Sequence, residues 1–542
     1  MLPALGAPKG ANSTRVGQQL TTFSAIVREL QSAYVDTLDS ERDVRNAIDA
    51  MLGQIDPYTE YYPAEEQDAL RQLSSGEFSG IGSTIVQRKG RVVLSEPQWG
   101  SPARKAGVRH GDVLIAIDGD TLPQGYSTAE ASKRLRGQAG TKVKVTVERP
   151  YAKDSIIDID IVRGTIRTAA VPYYGMIGDS VGYVRLTTFS ESSAADVRQA
   201  VQALRRENAS MRGLVLDLRD NGGGLLESAV QIVGMFVPRG TEVVTVRYRE
   251  DARRKKYKTT QQPIEPQVPL AVLVNGGTAS ASEIVAGALQ DLDRAVVVGE
   301  RSFGKGLVQT SRPLPYDGML KLTVGRYYIP SGRLIQAIDY SHRNADGTAA
   351  RVPDSLTTVF RTAAGREVRD GGGITPDAKV ELPDVTRLIY NAVADLWVYD
   401  YATRFAARQG DAMPVASDFV VSDSIYDDFK GFIDPQRFEY DKLCESGIKY
   451  LREAAEAEGY MNDSVAAQFD VLEGMLRHDL EHDLDRDRAI LSKYIDDEIS
   501  SRYYSEGDQV MRRLRGDAVL ERASAILCSP EYARLLAPAH KK

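Results

Sequence analysis

Cysteine is almost absent from this chain: Cys444 and Cys528 are the only two in 542 residues. Two so far apart build neither a metal cluster nor a disulfide framework, and the sequence leaves open whether they pair. Histidine is scarce too, with five residues, none well placed for a conventional serine triad. No window reaches the ~18 apolar residues that a membrane span requires. The amino terminus, Met1 to Gly10, lacks a charged stretch followed by an apolar core and is not read as a signal peptide, so the compartment stays open. Excess positive charge is also missing. A net charge of −7 and a pI near 5.6 argue against nucleic acid as the main partner. The one basic run, Arg253 to Lys258, reads as an exposed loop or hairpin.

The composition is otherwise that of a globular protein, 42% hydrophobic and 26% charged. A chain of this length exceeds one core, so two to four domains are expected. Residues from about 20 to 72 read as helices, with Phe23, Ile26, Val27, Leu30 and Tyr34 at helical spacing. Residues 76–166 carry short β-prone runs (Arg91 to Ser95, Val113 to Ile117, Lys142 to Glu148, Ile156 to Val162) broken by turn signals and one helix near Ser127 to Arg136. Between 170 and 385 strands and helices alternate, which predicts an α/β layer architecture. Beyond 386 the chain reads as helical, with amphipathic stretches at 436–457, 463–484 and 486–502. The domain limits expected are 1–75, 76–166, 167–385 and 386–542.

Two short motifs carry chemistry. Leu270 to Val274 is a buried strand, Asn275-Gly-Gly277 a tight turn, and Ser282 to Leu292 a helix, so Ser280 falls near a helix amino terminus. Unpaired N–H groups and the helix dipole stabilise negative charge there, giving a nucleophile an oxyanion site in its own backbone. Taken alone, Ser280-x-x-Glu283 reads better as a capping box. Lys305 lies between Gly304 and Gly306 after an apolar strand, and alone it reads equally well as an exposed turn lysine. Burial lowers a lysine's pKa, which is how lysine becomes a general base. The run Leu307-Val308 predicts a strand beginning at Lys305, putting Lys305, Leu307 and Gln309 on one face, where Gln309 orients the amine without adding charge.

Two tempting motifs fail. Gly299-x4-Gly304-Lys305 resembles a phosphate-binding loop, but Gly306 replaces the required Ser or Thr and no helix follows, so no nucleotide is expected. His478-Asp-Leu-Glu481-His482 resembles an inverted zinc motif. With Leu476, Leu480 and Leu484 as the apolar row of one helix, the histidines read as part of its solvated face.

Taken together, the residues resemble the C-terminal processing peptidases, or tail-specific proteases: serine–lysine endopeptidases with an inserted PDZ domain. The likeness covers about residues 20–385, in order. It rests on Leu73-Ser-Ser-Gly-Glu-Phe-Ser-Gly-Ile-Gly82, Ser101-Pro-Ala, Ala106-Gly107, the run from Gly111 to Gly119 and Asp217-Leu-Arg-Asp-Asn-Gly-Gly-Gly-Leu-Leu226. The serine and lysine motifs, Arg326-Tyr-Tyr-Ile-Pro-Ser-Gly332 and Gly371-Gly-Gly-Ile-Thr-Pro-Asp377 complete it.

The resemblance implies amino-terminal helices, a β-rich PDZ module, a ClpP/crotonase-like α/β protease core and a C-terminal helical domain. It implies Ser280 as nucleophile, Lys305 as general base and Gln309 as the residue orienting the lysine, with an acyl-enzyme and neither metal nor organic cofactor. The oxyanion hole would use the N–H groups of Ala281 and Gly223; glycine at 222, where the family usually has proline, loosens that turn. Gly80, Ile81, Gly82 and Ser83 would cradle the terminal carboxylate of a protein or peptide substrate with an apolar tail, while the tail adds a strand to the sheet edge. The resemblance further implies a PDZ domain that gates the site, a periplasmic setting in the bacterial envelope, and a homodimer through amino- or carboxy-terminal helices. An idle PDZ adaptor would be expected to lack the serine or lysine, and an esterase to show Gly-x-Ser-x-Gly with a partner histidine. This chain keeps the former pair and lacks the latter elbow.

Overall fold

A computed structural model of the chain describes residues 12–66, 76–249, 253–343, 349–409 and 418–538. The first ten residues and the Leu73 to Ser75 end of the entry motif lie outside the described residues. Two helices lead, Asn12–Ala33 and Ser40–Gly53, the second capped by Asp39, whose carboxylate accepts the Arg42 N–H. The chain then leaves helical structure. Glu60–Tyr62 is a strand lying antiparallel on Met319–Tyr328 of the protease core, pairing Glu60 with Lys321 and Tyr62 with Met319. An amino-terminal segment expected to be helical throughout therefore contributes a strand to the second sheet of the core.

The β-rich module holds five main strands in the order Ser83–Arg88, Arg91–Pro97, Asp112–Ile117, Lys142–Glu148, Ile156–Val162, all antiparallel. Alternation along Lys142–Glu148 turns Val143, Val145 and Val147 inward, against Leu94, Ile117 and Ile161. The helix Thr128–Leu135 closes this core, begun by a Ser127–Glu130 capping box and ended by Arg163, which donates to the Arg134 and Leu135 carbonyls. Glu77–Gly80 pairs with Gly164–Arg167, so the module enters and leaves the core through one two-stranded neck.

The core is a six-stranded sheet in the order Tyr173–Ile177, Val181–Arg185, Gly213–Asp217, Leu270–Val274, Val296–Gly299, Ala378–Lys379, parallel after its first pair. Strands covered on both faces need apolar residues throughout, and every residue of Leu270–Val274 is buried. One face is covered by Ser193–Glu207, Leu226–Val233 and Ala281–Asp291. The other is covered by Ala518–Leu527, a helix from the far end of the chain. A second sheet is built around Met319–Tyr328, with Leu307–Pro313 on one edge and both Glu60–Tyr62 and Glu242–Tyr248 on the other. The basic run forms the exposed strand Arg254–Lys258, hairpinned to Glu242–Tyr248.

The carboxy-terminal third is helical, but its long stretches are divided. The 463–484 stretch breaks after Leu476, and a new helix starts at Leu480, capped by Asp479. This corrects the solvated-face reading of the histidines. His478 sits in the break, half-buried, with its Nδ1 2.7 Å from Asp483, which also accepts the Tyr440 hydroxyl at 2.6 Å. Only His482 stays exposed. Leu476 is exposed as well, so the expected apolar row does not form. Both described cysteines are free thiols.

This third is more than an appendage. Arg88 forms a two-pronged pair with Asp400, the Tyr399 hydroxyl donates to the Ser95 carbonyl at 3.1 Å, and Arg104 donates to the Arg502 carbonyl at 2.8 Å. Those contacts hold the β-rich module against the helices. At the sheet, Arg219 bridges the buried Asp217 and Asp517, and Asp517 also caps Ala518–Leu527 by accepting the Val519 and Leu520 N–H groups. Asp517→Ala removes a cap and an ion pair at once and should cost about 1–3 kcal/mol. A lowered thermal midpoint is expected; an unchanged midpoint would show that the helix docks without this link.

Candidate active site

Ser280 stands where the buried strand Leu270–Val274 hands over to the helix Ala281–Asp291, all eleven of whose residues are buried. Its backbone is left-handed, φ 59° and ψ −116°, a conformation that costs a non-glycine residue on the order of 1–3 kcal/mol and needs external support. That support is a web of hydrogen bonds. Thr278 Oγ1 donates to the Leu218 carbonyl at 2.9 Å, Ala279 N–H to the Asn221 carbonyl at 3.0 Å, and Ser282 Oγ to the same carbonyl at 2.8 Å. The glycine turn thus packs directly under the serine. A Cβ on Gly223 would lie 2.8 Å from Ser280 Cβ and 2.9 Å from the Ala281 nitrogen, so no larger residue fits.

The two expected oxyanion donors differ. Ala281 opens the helix, where its N–H has no partner within the helix. The Gly223 N–H donates to Asn221 Oδ1 at 2.9 Å, closing a turn on its own side chain. In this arrangement Gly223 supplies proximity while its N–H is engaged.

Lys305 comes from the loop after Val296–Gly299 and is half-buried. Strand structure begins only at Leu307, so Lys305 precedes the strand it was expected to start. The pairing with Met319–Tyr328 also shifts, by one extra residue on the partner strand, which sets Gln309 directly opposite Thr323. The Gln309 amide N–H donates across the pair to Thr323 Oγ1 at 3.2 Å. The Lys305 amine lies 4.2 Å above the ring of Tyr58, from the amino-terminal segment. Burial holds its pKa below that of a free lysine and nearby Lys321 adds to this, while Glu60, Glu283 and Asp56 act the other way.

Glu283 ties serine and lysine together. One oxygen accepts the Ser280 N–H at 2.9 Å and the Lys305 N–H at 2.8 Å; the other accepts the Gly304 N–H at 2.8 Å and the Ser302 hydroxyl. It is fully buried, and burial pushes its pKa up to about 7 against the pull of these four donors. The capping-box reading captured one of the four bonds. The other three belong to a loop about twenty residues away, which spacing alone does not reveal. Tyr327 adds a second link: its buried hydroxyl donates to the Lys305 carbonyl and interacts with the Ser280 hydroxyl. Tyr327 lies in the Arg326 to Gly332 motif without a role having been assigned to it, and Tyr58 carried no sequence signal beyond being aromatic.

The residues expected to receive a peptide end lie in the β-rich module. Ile81 is buried and its carbonyl accepts the Ala103 N–H at 2.8 Å, while the Gly82 carbonyl accepts the Gln98 N–H at 3.0 Å. Gly82 has φ 72°, and a Cβ there would meet Ser101 Cβ at 2.6 Å. Gly80 backs onto Arg136, and Ser83 opens the strand Ser83–Arg88.

Three family descriptions match the chain: "Peptidase family S41" over residues 180–342, "PDZ domain" over 93–149, and "Probable PDZ-protease, C-terminal helical domain" over 388–527. The carboxy-terminal-processing protease of Bartonella bacilliformis is 38% identical over 329 residues, 60% of this chain and 75% of that protein. The carboxy-terminal processing protease CtpA of Bacillus subtilis is 31% identical over 423 residues, 78% of this chain and 81% of that protein. The chain belongs to peptidase family S41. Among solved structures, a photosystem II D1 C-terminal processing protease is 29% identical, covering 66% of this chain and 86% of that one, with a TM-score of 0.36. At that score the likeness in shape decides nothing.

As an S41 peptidase of the carboxy-terminal processing type with a PDZ domain, the chain is a serine-type peptidase. Ser280, Glu283, Lys305, Gln309 and Tyr327 all fall inside the S41 match, whereas Asp56 and Tyr58 precede it. Gly80 to Ser83 precede the matched stretch of the PDZ domain. Glu283→Gln keeps the shape but turns an amide NH2 toward two of the four donors. Leaving buried donors unpaired costs roughly 1–3 kcal/mol each. A lower thermal midpoint and at least a tenfold loss of peptidase activity are expected; parental values for both would remove Glu283 from the frame of the site.

Proposed function

We propose that this S41 peptidase cleaves proteins near their carboxy termini with Ser280 as nucleophile and Lys305 as general base. The observation that carries the reading is the single buried carboxylate of Glu283 fastening the backbones of both residues. The neutral Lys305 amine takes the Ser280 proton as Oγ attacks the scissile carbonyl, and the Ala281 N–H stabilises the oxyanion. Lys305 then protonates the leaving amine. Water enters, the lysine takes its proton, and the acyl-enzyme is hydrolysed. Gln309, whose amide N–H donates to Thr323, is given no proton-transfer step. The described histidines have other settings: His342 is exposed beside Asp339, and His110 is held neutral by burial and bonded to the Ser95 backbone.

The PDZ loop from Gly80 to Ser83 takes the apolar carboxy-terminal tail, with the added peptide strand alongside Ser83–Arg88. This work belongs to the bacterial envelope, in the periplasm. No described helix is long and apolar enough to cross a membrane.

On an unfolded substrate with an apolar tail, Ser280→Ala and Lys305→Ala should each lose on the order of a thousandfold in kcat/KM. Cleavage by both variants at the parental rate would refute the dyad. The sign of the pH dependence follows from the two buried groups. Lys305 must lose its proton, with a pKa below the ~10.4 of free lysine. Glu283, with its pKa near 7, must lose its proton to accept four donors. Both make kcat/KM rise with pH, so a rate flat from mildly acidic to alkaline pH contradicts the mechanism.

We further propose a homodimer through the first helix. Val16, Leu20, Phe23, Ile26 and Leu30 are exposed at helical spacing along Asn12–Ala33, where a second copy would bury them. Leu20→Glu with Phe23→Glu should convert a dimer to a monomer in light scattering; a monomeric parent protein would sink the idea.

A further inference from the structure

The lysine's surroundings include a residue from outside the S41 match. Tyr58 lies between the helix Ser40–Gly53 and the strand Glu60–Tyr62, in a turn held by the buried Asp56. Asp56 Oδ1 accepts the Tyr58 and Thr59 N–H groups, each at 2.8 Å, and Oδ2 accepts the Thr59 hydroxyl at 3.1 Å. Thr59 Oγ1 in turn accepts the Thr323 N–H at 3.3 Å, and Glu60 pairs with Lys321 at 2.7 Å. The ring is fixed from its other end too. The Tyr58 and Tyr340 hydroxyls are 3.2 Å apart, and the rings meet edge to face at 5.9 Å. A side chain anchored at both ends presents its face to the Lys305 amine at 4.2 Å.

We propose that Tyr58 is a positioning residue for Lys305: its anchored ring fixes where the side-chain amine sits and keeps water from it. The inference rests on Lys305 being the base, as argued above. The ring has two opposed effects on the amine. Its negative face favours the ammonium, while its bulk excludes water and so favours the neutral base. The charged groups acting on the amine are Asp56 and Glu60 from the amino-terminal segment, Glu283 from the serine helix and Lys321 from the second sheet. Tyr327 bonds to the lysine's own carbonyl and Tyr340 backs the ring. Substituting Tyr58 leaves these charged groups in place; besides the ring's two effects it removes only the link to Tyr340, whose hydroxyl part Tyr58→Phe removes by itself.

Substitutions separate those effects. Tyr58→Leu keeps the bulk and removes the negative face, so the ammonium loses its support and the lysine deprotonates more readily. The acidic limb of kcat/KM should then move to lower pH by up to about one unit. Tyr58→Ala admits water, favours the ammonium and should move the limb to higher pH, with roughly a tenfold loss at neutral pH. Tyr58→Phe keeps the ring and should keep the limb where it is.

The measurement is kcat/KM against pH on the unfolded substrate, with the rate of Ser280 labelling by a fluorophosphonate as a second readout independent of peptide binding. Opposite shifts for Leu and Ala support the assignment, since lost packing alone moves no limb in two directions. No shift in Leu, or shifts of Leu and Ala in the same direction, overturns it. A shift in Phe matching that in Leu overturns it as well, assigning the effect to the Tyr340 link. Should Ala fail to fold, the Leu and Phe pair decides. Lys305→Ala, run alongside, keeps the two readings apart: parental turnover there refutes the base, whereas an inactive Lys305→Ala with an unmoved Tyr58→Leu limb refutes only the role of Tyr58.

Discussion

A buried carboxylate with four donors is the constraint on which the site depends. Glu283 lies on the first turn of a helix whose residues are all buried, so the position of its carboxylate is set by the core itself. Its two oxygens then set the positions of Ser280 on one side and of Ser302, Gly304 and Lys305 on the other. A buried charge is tolerated only when it is fully hydrogen-bonded, and here that requirement joins two loops that follow different strands. The strained backbone of Ser280 is held by the same bond.

Around this frame the chain closes on itself from both ends. The amino-terminal segment lays a strand on the second sheet and brings Tyr58 to the lysine. The carboxy-terminal segment lays a helix across the back of the main sheet, locked through Arg219 to Asp217, at the end of the strand that leads into the glycine turn. The helical third also grips the PDZ domain through Asp400, Tyr399 and Arg502. One domain therefore touches both the part expected to read substrate tails and the part that carries the serine.

Elements with strong local signals were legible in the sequence. The strands Lys142–Glu148, Ile156–Val162 and Leu270–Val274 fall where period and propensity put them. Readings that needed an unbroken pattern fared less well. The stretch around His478 looks amphipathic, yet Asp479 caps a new helix there and Asp483 draws the histidine inward. Gln309 shares a predicted face with Lys305, yet Lys305 precedes the strand and the Gln309 amide bonds its cross-strand neighbour Thr323. The packing of Tyr440 on His478 and the pairing of Gln309 with Thr323 are decided by partners farther along the chain, and periodicity holds no record of them.

What the sequence by itself determined is the kit: a serine at a strand-to-helix turn, a lysine between glycines, a glycine turn after an apolar strand, and a PDZ-like insert. Each is read from short runs of neighbouring residues, the insert from several such runs in order. What only the tertiary structure decided is how the kit is assembled. It shows Glu283 bonding both loops, Tyr327 bridging them, Gly223 donating to Asn221, and Tyr58 arriving from the other end of the chain to cover the amine. The physical reason is the same in each case. A buried polar or charged group takes its partner from whatever the fold packs beside it, and that neighbour is fixed by sheet order and helix packing rather than by distance along the sequence.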